Sequence, residues 1–297
     1  MLTEDPHWKL VTFTNAVVSE VPIWSPSDRS VYWADLYSPA LQRTNIDTGT
    51  TSTFPVPDRL GSFGLREGGA LLAMKSGIYD LDFASGSIIK RLEPPYDKNE
   101  MHFNDGRTDS AGRFIVGANQ DPTDTVRGRG HYYRIDGTGL TPIISGITTA
   151  NGTAFSPDGR TMYTAETRDF VIYAYDYDPE TGTPTRQRVF ARLPAGHFPD
   201  GAAVDSEGGY WIALIGAGVI WRFAPDGVLD RVVNTPTLFP AMVSFGGDDL
   251  STMFLTTSRK YVAQLGEQEQ AKELGVAGGI FSWQSDVRGF AEPTLSF

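Results

Sequence analysis

Apolar and polar positions alternate over short stretches of this chain, and Pro, Asp and Gly separate one stretch from the next. Residues 151–182 show the pattern in full: a short apolar run, a Pro-Asp-Gly turn, a strand over 161–165, a polar break, an aromatic strand over 171–177 and a turn that ends in Gly. Alternation with a period of two predicts strands, and the turn residues predict tight hairpins between them. Because one such unit cannot bury both of its faces alone, several units are expected to pack together.

The same unit recurs along the chain. It starts at Glu20, Phe63, Asn104, Asn151, Asp200 and Pro240. The spacing of about 40 to 50 residues is that of a four-stranded propeller blade. Six copies predict an all-β fold, a six-bladed β-propeller with four-stranded blades, and we expect residues 1–297 to form a single domain of this kind.

The two ends of the repeat predict how the ring closes. Residues 8–13 have the composition of a strand and precede the first unit, while the chain stops soon after the third strand of the sixth. Since an open ring would leave unpaired strand edges, we expect this N-terminal strand to be the outer strand of the last blade. Residues 258–278 interrupt the sixth unit with a helix-forming composition, which predicts a surface loop or one short helix, with a lid over a pocket as the alternative.

Charge and composition narrow the possible partners. The 297 residues carry a net charge of −11 and include no cysteine. The negative charge argues against nucleic acid and anionic membrane surfaces as partners, since both require local positive charge. The absence of cysteine excludes disulfides and thiolate chemistry. The first residues lack the basic segment and apolar run of a secretory signal and no stretch has the length of a membrane span, so we expect a cytoplasmic protein.

The repeat also predicts where chemistry should lie. In a propeller the first strand of each blade lines the central channel, so residues at equivalent unit starts face one another. Four of these residues are polar, namely Glu20, Asn104, Asn151 and Asp200. Two carboxylates and two amide oxygens suit a hard divalent cation. The alternative is that each Asn or Asp only caps a turn, because Asn-Asp-Gly, Asn-Gly and Asp-Gly are common turn sequences.

Several motifs, taken in order, resemble those of the gluconolactonase, regucalcin and senescence-marker-protein family of six-bladed propellers. They are Glu20-Val-Pro-Ile-Trp, Tyr32-Trp-Ala-Asp35, Phe103-Asn-Asp-Gly, Asp109-Ser-Ala-Gly-Arg113, Asn151-Gly-Thr-Ala-Phe-Ser-Pro-Asp-Gly-Arg160, Pro199-Asp-Gly-Ala-Ala-Val-Asp205, Ala277-Gly-Gly-Ile-Phe and Val287-Arg-Gly289. The resemblance covers nearly the whole chain. It implies a metal-dependent sugar lactonase in which Glu20, Asn151 and Asp200 bind the metal, Asp200 is also the general base, and Asn104 contacts the substrate or a metal-bound water.

The sequence departs from the family at two positions of the expected site. The family usually has Gly-Glu-Gly-Pro around its first metal ligand, whereas this chain has Ser19-Glu-Val-Pro22, which places a β-branched side chain beside the metal. The residue two before Asn104 is commonly an arginine that holds the hydroxyls of the sugar, and here it is His102. Both His102 and His197, which precedes Asp200 by three residues, are predicted to line the substrate pocket, with a structural role as the alternative.

These observations together predict a metal-dependent hydrolase of carbohydrate metabolism that opens the lactone ring of a sugar acid or a related small cyclic ester. The cofactor is expected to be one divalent cation, Ca²⁺ first, with Zn²⁺, Mn²⁺, Mg²⁺ or Fe²⁺ as the alternatives. It would polarise the lactone carbonyl while Asp200 takes a proton from the attacking water. Two other functions stay open: a phosphotriesterase-like hydrolase that uses the same metal site, and a calcium-binding or ligand-binding propeller without turnover. A small-molecule lactone is the expected partner of a monomer or small homo-oligomer.

Overall fold

A computed structural model of the chain describes residues 1–121 and 126–297. The described residues form a six-bladed β-propeller, as the repeat predicts. In each blade the strands follow one another in antiparallel order from the channel outwards. The residues predicted as unit starts, Glu20, Phe63, Asn104, Asn151, Asp200 and Pro240, all lie in the six innermost strands. The turn residues between the predicted strands therefore located the inner strand of each blade correctly.

The first three blades comprise residues 19–147. Blade 1 contains β3 (Ser19–Ser25), β4 (Ser30–Asp35), β5 (Ala40–Asn45) and β6 (Thr51–Pro55). Blade 2 contains β7 (Leu60–Arg66), β8 (Gly69–Met74), β9 (Gly77–Asp82) and β10 (Ile88–Leu92). Blade 3 contains β11 (Met101–Thr108), β12 (Phe114–Gln120), β13 (Gly130–Asp136) and β14 (Gly139–Ile147).

The last three blades complete the ring. Blade 4 contains β15 (Ala150–Phe155), β16 (Thr161–Glu166), β17 (Val171–Asp178) and β18 (Thr183–Arg192), with a 3₁₀ turn at Thr167–Asp169. Blade 5 contains β19 (Phe198–Val204), β20 (Tyr210–Ile215), β21 (Val219–Phe223) and β22 (Leu229–Asn234). Blade 6 contains β23 (Pro240–Gly246), β24 (Thr252–Thr257) and β25 (Gly279–Gln284). Successive inner strands contact one another all the way round, and β23 returns to β3.

The N-terminus closes the ring in the predicted way and adds one strand that the sequence did not predict. Strand β2 (Lys9–Phe13) pairs antiparallel with β25, from Lys9 opposite Ser282 to Phe13 opposite Gly279, and so supplies the outer strand of blade 6. Strand β1 (Leu2–Glu4) runs parallel to β22 and forms a fifth strand on blade 5. The first residues thus pair with the outer edges of blades 5 and 6, the last two blades of the ring.

The core of the propeller lies between the blades. Six clusters of buried apolar side chains each join two adjacent blades, including the pair formed by blades 6 and 1. Trp33 and Trp211 are fully buried in two of these clusters. Because burial of apolar surface is the main favourable term in folding, the ring is stabilised mostly at its radial interfaces. The inner ends of the blades can therefore carry polar residues.

The interruption of blade 6 contains the short helix that was the expected alternative to a loop. A 3₁₀ turn at Val262–Gln264 and helix α1 (Glu267–Glu273) lie between β24 and β25. Glu273 is buried and accepts hydrogen bonds from the hydroxyl of Thr237 and, at 3.1 Å, from the backbone N–H of Leu238. The helix is thereby tied to the loop between blades 5 and 6. In the described part of the chain, none of the helices has the length and apolar composition to cross a membrane.

The C-terminal residues cross one end of the channel. Arg107, near the end of β11, donates to the carbonyl oxygens of Ala202 at 2.6 Å and Val243 at 3.1 Å and pairs with Glu292 at 3.1 Å. The backbone N–H of Leu295 then donates to Leu65 in blade 2 at 2.8 Å. Since these contacts lie at the C-terminal ends of the inner strands, this end of the channel is covered. The open end is the one where the inner strands begin.

Candidate active site

A β-bulge in each of four inner strands turns a polar side chain into the channel. The pairing with the second strand of the blade skips from Glu20 to Ile23, from Phe103 to Gly106, from Asn151 to Ala154 and from Pro199 to Ala202. A bulge inserts an extra residue, bends the strand and re-aims its side chains. Glu20, Asn104, Asn151 and Asp200 lie at or inside these bulges, and all four line one cavity of about 530 Å³.

Blades 1 and 4 use the same backbone conformation directly after the polar residue. Gly152 follows Asn151 with a φ of 61°, and Val21 follows Glu20 with a φ of 54°. Glycine adopts this left-handed region freely, whereas a β-branched residue does so at a cost of about 1–3 kcal/mol. Val21 is 1% exposed in the cluster between blades 1 and 2. The departure from the family motif thus places a strained residue next to Glu20.

A chain of hydrogen bonds links three blades and fixes the two amide side chains. The Nδ2 of Asn104 donates to the carbonyl oxygen of Ala150 at 2.8 Å and to Oδ1 of Asn151 at 3.0 Å. The Nδ2 of Asn151 donates at 2.8 Å to the hydroxyl of Thr167, which itself donates to the carbonyl oxygen of Pro199 at 2.7 Å. Because the amide nitrogen of Asn151 is held by Thr167, its oxygen faces the side of the cavity where Asn104 lies.

Glu20 and Asp200 are carboxylates with little compensation for their charge. Burial raises the pKa of Glu20, and repulsion from Asp200 and Asp105 raises it further, whereas attraction to Arg59 and Lys260 offsets only part of this rise. Burial, again with repulsion from Asp105, raises the pKa of Asp200 to about 8. Among the described residues no cation lies within 4.0 Å of either carboxylate. Two buried like charges of this kind are stable as carboxylates only beside a cation.

A third carboxylate, Asp105, was not singled out by the sequence because it lies within a common turn sequence. It is 4% exposed, and its Oδ2 accepts a hydrogen bond at 2.7 Å from the backbone N–H of Thr153 in the next blade. Burial raises the pKa of Asp105. The bulge at Asn104 and Asp105 therefore places one side chain in the cavity and the next in the contact between blades 3 and 4.

The two predicted pocket histidines occupy different surroundings. His102 lines the cavity and is 2% exposed, with its Nδ1 3.9 Å from Oδ2 of Asp121. Burial, followed by repulsion from Arg59, lowers the pKa of His102 to about 3, so the ring is neutral. His197 is absent from the described lining of the cavity, and its ring packs against Trp221 with centroids 5.0 Å apart. His102 thus lies in the cavity wall, whereas the ring of His197 packs on blade 5.

The loops around the cavity add residues that the repeat does not reveal. Arg59 comes from the connection between blades 1 and 2, and Lys260 and Tyr261 come from the interruption of blade 6. Tyr37, on the hairpin between β4 and β5, completes this side of the mouth. The 258–278 segment therefore contributes to the rim of the cavity.

The donor set fits a hard divalent cation. Glu20 and Asp200 supply carboxylate oxygens and Asn151 supplies an amide oxygen, which are ligands that Ca²⁺ and Mg²⁺ prefer. Among the described residues no group of three or more His, Cys, Asp or Glu side chains is placed to hold a metal, so the candidate site combines two carboxylates with an amide oxygen. The unpaired charge of the two buried carboxylates is the observation in favour of a cation.

Comparison with known proteins gives consistent matches over most of the chain. The family model described as "SMP-30/Gluconolactonase/LRE-like region" matches residues 18–259. A 6-deoxy-6-sulfogluconolactonase of Pseudomonas putida is 40% identical over 97% of this chain and 98% of its own length. An L-arabinolactonase of Azospirillum brasilense is 31% identical over 95% of this chain and 93% of its own length. The crystal structure of a regucalcin from Agrobacterium tumefaciens, described as a calcium-binding protein, superposes with a TM-score of 0.93 at 23% identity over the full length of both chains.

Proposed function

The chain belongs to the SMP-30/gluconolactonase/LRE-like family, and from this premise we propose that it is a lactonase that opens the ring of a sugar-acid lactone with the help of one divalent cation. Relatives that are 40% and 31% identical over nearly the whole chain are a sulfogluconolactonase and an arabinolactonase, which supports a sugar lactone as the substrate. The observation that carries the proposal is the convergence of Glu20, Asn151 and Asp200 on one cavity.

The cation would be held by the carboxylates of Glu20 and Asp200 and the amide oxygen of Asn151. When bound, such an ion polarises a lactone carbonyl and stabilises the negative charge that develops on its oxygen. Thr167 is a positioning residue, because its hydroxyl holds the amide nitrogen of Asn151 and so turns the amide oxygen towards the cavity, where one lone pair accepts from Asn104 and the other is left for the cation. Ca²⁺ is the first candidate, since all three donors are oxygens.

Asp200 is proposed as the general base. A carboxylate oxygen of Asp200 would remove a proton from the water that attacks the lactone carbonyl, and the protonated Asp200 would pass this proton to the ring oxygen when the ester bond breaks, after which the new carboxylic acid releases a proton to solvent. Its tendency to hold a proton in this buried position favours the role, whereas direct contact with a cation lowers the pKa of any carboxylate. A lactone is electrophilic enough that a weak base suffices for its hydrolysis.

Asn104 and His102 are proposed to orient the substrate. The amide nitrogen of Asn104 is already engaged by Ala150 and Asn151, so its amide oxygen is the group left to accept a hydrogen bond from a sugar hydroxyl. His102 is a neutral ring at the wall of the cavity and can donate or accept one hydrogen bond. A neutral residue at this position holds hydroxyl groups without the charge of the arginine that the family commonly has there.

The test is hydrolysis of glucono-1,5-lactone, measured through the protons that it releases. The protein is first treated with a chelator and then supplied with Ca²⁺, Mg²⁺, Mn²⁺ or Zn²⁺, one at a time. We expect turnover to be lost on chelation and restored by at least one of these cations. Asp200→Asn should bind the cation more weakly and lose turnover while remaining folded. Undiminished hydrolysis after complete metal removal would refute the metal-dependent mechanism, and cation binding with no lactone hydrolysed would refute the enzymatic function.

A further inference from the structure

We infer that Arg59 and Lys260 form an anion-recognition site at the mouth of the cavity, which binds a sulfonate, phosphate or carboxylate substituent on the lactone. This inference rests on the proposed function for the reaction, but the site itself is argued from the rim residues alone. It names a substrate class, a sugar lactone that carries a second, negatively charged group away from the ring ester.

The two cations meet at one aromatic side chain. Arg59 precedes β7 and Lys260 follows β24, so they reach the cavity from the two blades that flank blade 1. The Cζ of Arg59 lies 5.2 Å from the centroid of Tyr37, and the Nζ of Lys260 lies 5.4 Å from the same centroid. Lys260 lies equally close to the ring of Tyr261, at 5.4 Å. The aromatic rings therefore hold two positive charges at the rim of the cavity that Glu20 also lines.

The N–H donors of Arg59 and Lys260 are not bonded to carboxylates. Within the described residues, neither Arg59 nor Lys260 has a carboxylate partner within 4.0 Å. The Nε of Arg59 is buried and has no hydrogen-bond partner. Cation–π contact leaves the in-plane donors of a guanidinium available, and these donors match the oxygens of a carboxylate, sulfonate or phosphate. By contrast Lys75, just outside the cavity, is bound to Asp121 at 2.8 Å.

The charge balance of the lining points the same way. The lining contains three acidic and three basic side chains, namely Glu20, Asp121, Asp200, Arg59, Arg168 and Lys260. Asp121 is already paired with Lys75 at 2.8 Å. A divalent cation bound by Glu20, Asn151 and Asp200 would offset the two carboxylate charges, and the positive charges of Arg59 and Lys260 at the rim would then have no carboxylate among the described residues to balance them. A neutral sugar lactone would leave that charge uncompensated, whereas a lactone with an anionic substituent would reduce it.

The positive charge of Arg59 and Lys260 is confined to the rim of the cavity. The chain as a whole carries a net charge of −11, so its general field repels anions. Burial and the nearby Arg59 both oppose the protonation of Lys260, but interaction with Tyr37 and Tyr261 outweighs them, so that the pKa of Lys260 is raised and the ammonium stays charged. The attraction of an anion to both of these charges offsets their mutual repulsion when it lies between them. The geometry thus provides a specific attraction where the rest of the surface provides none.

The decisive measurement is the selectivity between lactones. We would compare kcat/KM for glucono-1,5-lactone with kcat/KM for its C6 sulfonate, C6 phosphate and C6 carboxylate counterparts. The wild-type protein should prefer at least one anionic lactone by tenfold or more, mainly through a lower KM. Arg59→Gln and Lys260→Gln should each reduce this preference about 10-fold to 100-fold, the range of one charge-assisted hydrogen bond. The three anionic substrates distinguish which acid group the site accepts.

A matched control removes the same charge elsewhere. Arg160, on the exposed hairpin between β15 and β16, is replaced by Gln, and the preference should stay at the wild-type value. If Arg59→Gln fails to fold, Lys260→Gln carries the test, because Lys260 is exposed at the rim. Equal preference for neutral and anionic lactones in the wild type, or an unchanged ratio in both rim variants, would overturn the inference.

A binding experiment separates this inference from the proposed function. Inorganic sulfate is titrated into the Ca²⁺-loaded protein by calorimetry, without any lactone present. We expect binding that Arg59→Gln and Lys260→Gln weaken at least tenfold and that Arg160→Gln leaves unchanged. If sulfate binds in this way but no lactone is hydrolysed, the anion site stands and the proposed reaction fails. If neutral lactones are hydrolysed but sulfate binds equally to all variants, the reaction stands and the anion site is refuted.

Discussion

Lowering the pH should destabilise this protein through His102 in particular, and the structure gives the size of the effect. His102 is 2% exposed at the wall of the cavity. Burial and three cations, Arg59, Lys75 and Lys260, oppose its protonation, while Asp121 favours it, with the net result that the pKa falls to about 3. In the unfolded chain a histidine has a pKa of about 6.5. Below that pH the histidine binds a proton in the unfolded state but stays neutral in the folded state.

The sign and the magnitude follow from linkage. A histidine with a lowered folded pKa contributes full stability above its unfolded pKa, and this contribution is lost as the pH falls from about 6.5 towards 3. At pH 5 the unfolded pKa lies about 1.5 units above the solution pH, which corresponds to about 2 kcal/mol at 1.36 kcal/mol per unit. Such a loss is a large fraction of the stability of an ordinary domain.

The assay is urea unfolding of the wild type and of His102→Gln at pH 7.5, 6.5, 5.8 and 5.0, with a chelator present because metal binding has its own pH dependence. The difference in free energy of unfolding between the two proteins should shrink by about 2 kcal/mol from pH 7.5 to 5.0, in favour of the variant. His7→Gln, in the exposed N-terminal segment, serves as the control and should follow the wild type. Parallel curves for wild type and His102→Gln would refute the neutral, buried state of this ring.

Three further predictions address the site and the closure of the ring. Asp200→Asn should lower kcat/KM for lactone hydrolysis by about 10²-fold or more in a folded protein, as expected for loss of a general base, and near-wild-type turnover would exclude that role. Thr167→Val removes the hydroxyl that holds Asn151 and should weaken divalent-cation affinity, measured by calorimetry, about 10-fold to 100-fold. The control Thr141→Val, at an exposed position, should leave this affinity unchanged. Equal cation affinities of Thr167→Val and the wild type would exclude the positioning role. Deletion of residues 1–13 leaves the outer edge of β25 unpaired and should lower the free energy of unfolding by about 1 kcal/mol for each ladder hydrogen bond lost, with concentration-dependent association in light scattering. An unchanged Tm would contradict the closure.

The features that could be predicted from the sequence are those that depend on residues close to one another along the chain. Turn residues and alternation are properties of neighbouring positions, so they located all six inner strands, and the spacing of the repeat placed Glu20, Asn104, Asn151 and Asp200 at equivalent positions of their units. The N-terminal strand was predicted by a different argument, the need for every strand edge to be paired. The structure places these four side chains in one cavity, and their individual roles stay predictions.

The features that the sequence did not reveal depend on which loops meet in space. Arg59 and Lys260 are about 200 positions apart in the chain and share the ring of Tyr37 only because the two blades that carry them flank blade 1. Strand β1 was missed because three residues carry too little alternation to indicate a strand. The surroundings of His197 could not be read from its closeness to Asp200 in the sequence: the chain turns at Gly196, which has a φ of 90°, and the ring lies against Trp221, so its role in the pocket stays a prediction.

The position after Glu20 shows how the fold maintains a costly site. A left-handed backbone at Val21 costs about 1–3 kcal/mol, and Gly152 avoids this cost at the equivalent position of blade 4. Burial of the valine side chain contributes about 1.5–3 kcal/mol, which is of the same size, because Val21 belongs to the cluster between blades 1 and 2. The strain beside Glu20 is therefore offset by the radial core. Since each of the six interfaces is a separate cluster, the bulges and unpaired carboxylates at the channel can persist without loss of the ring.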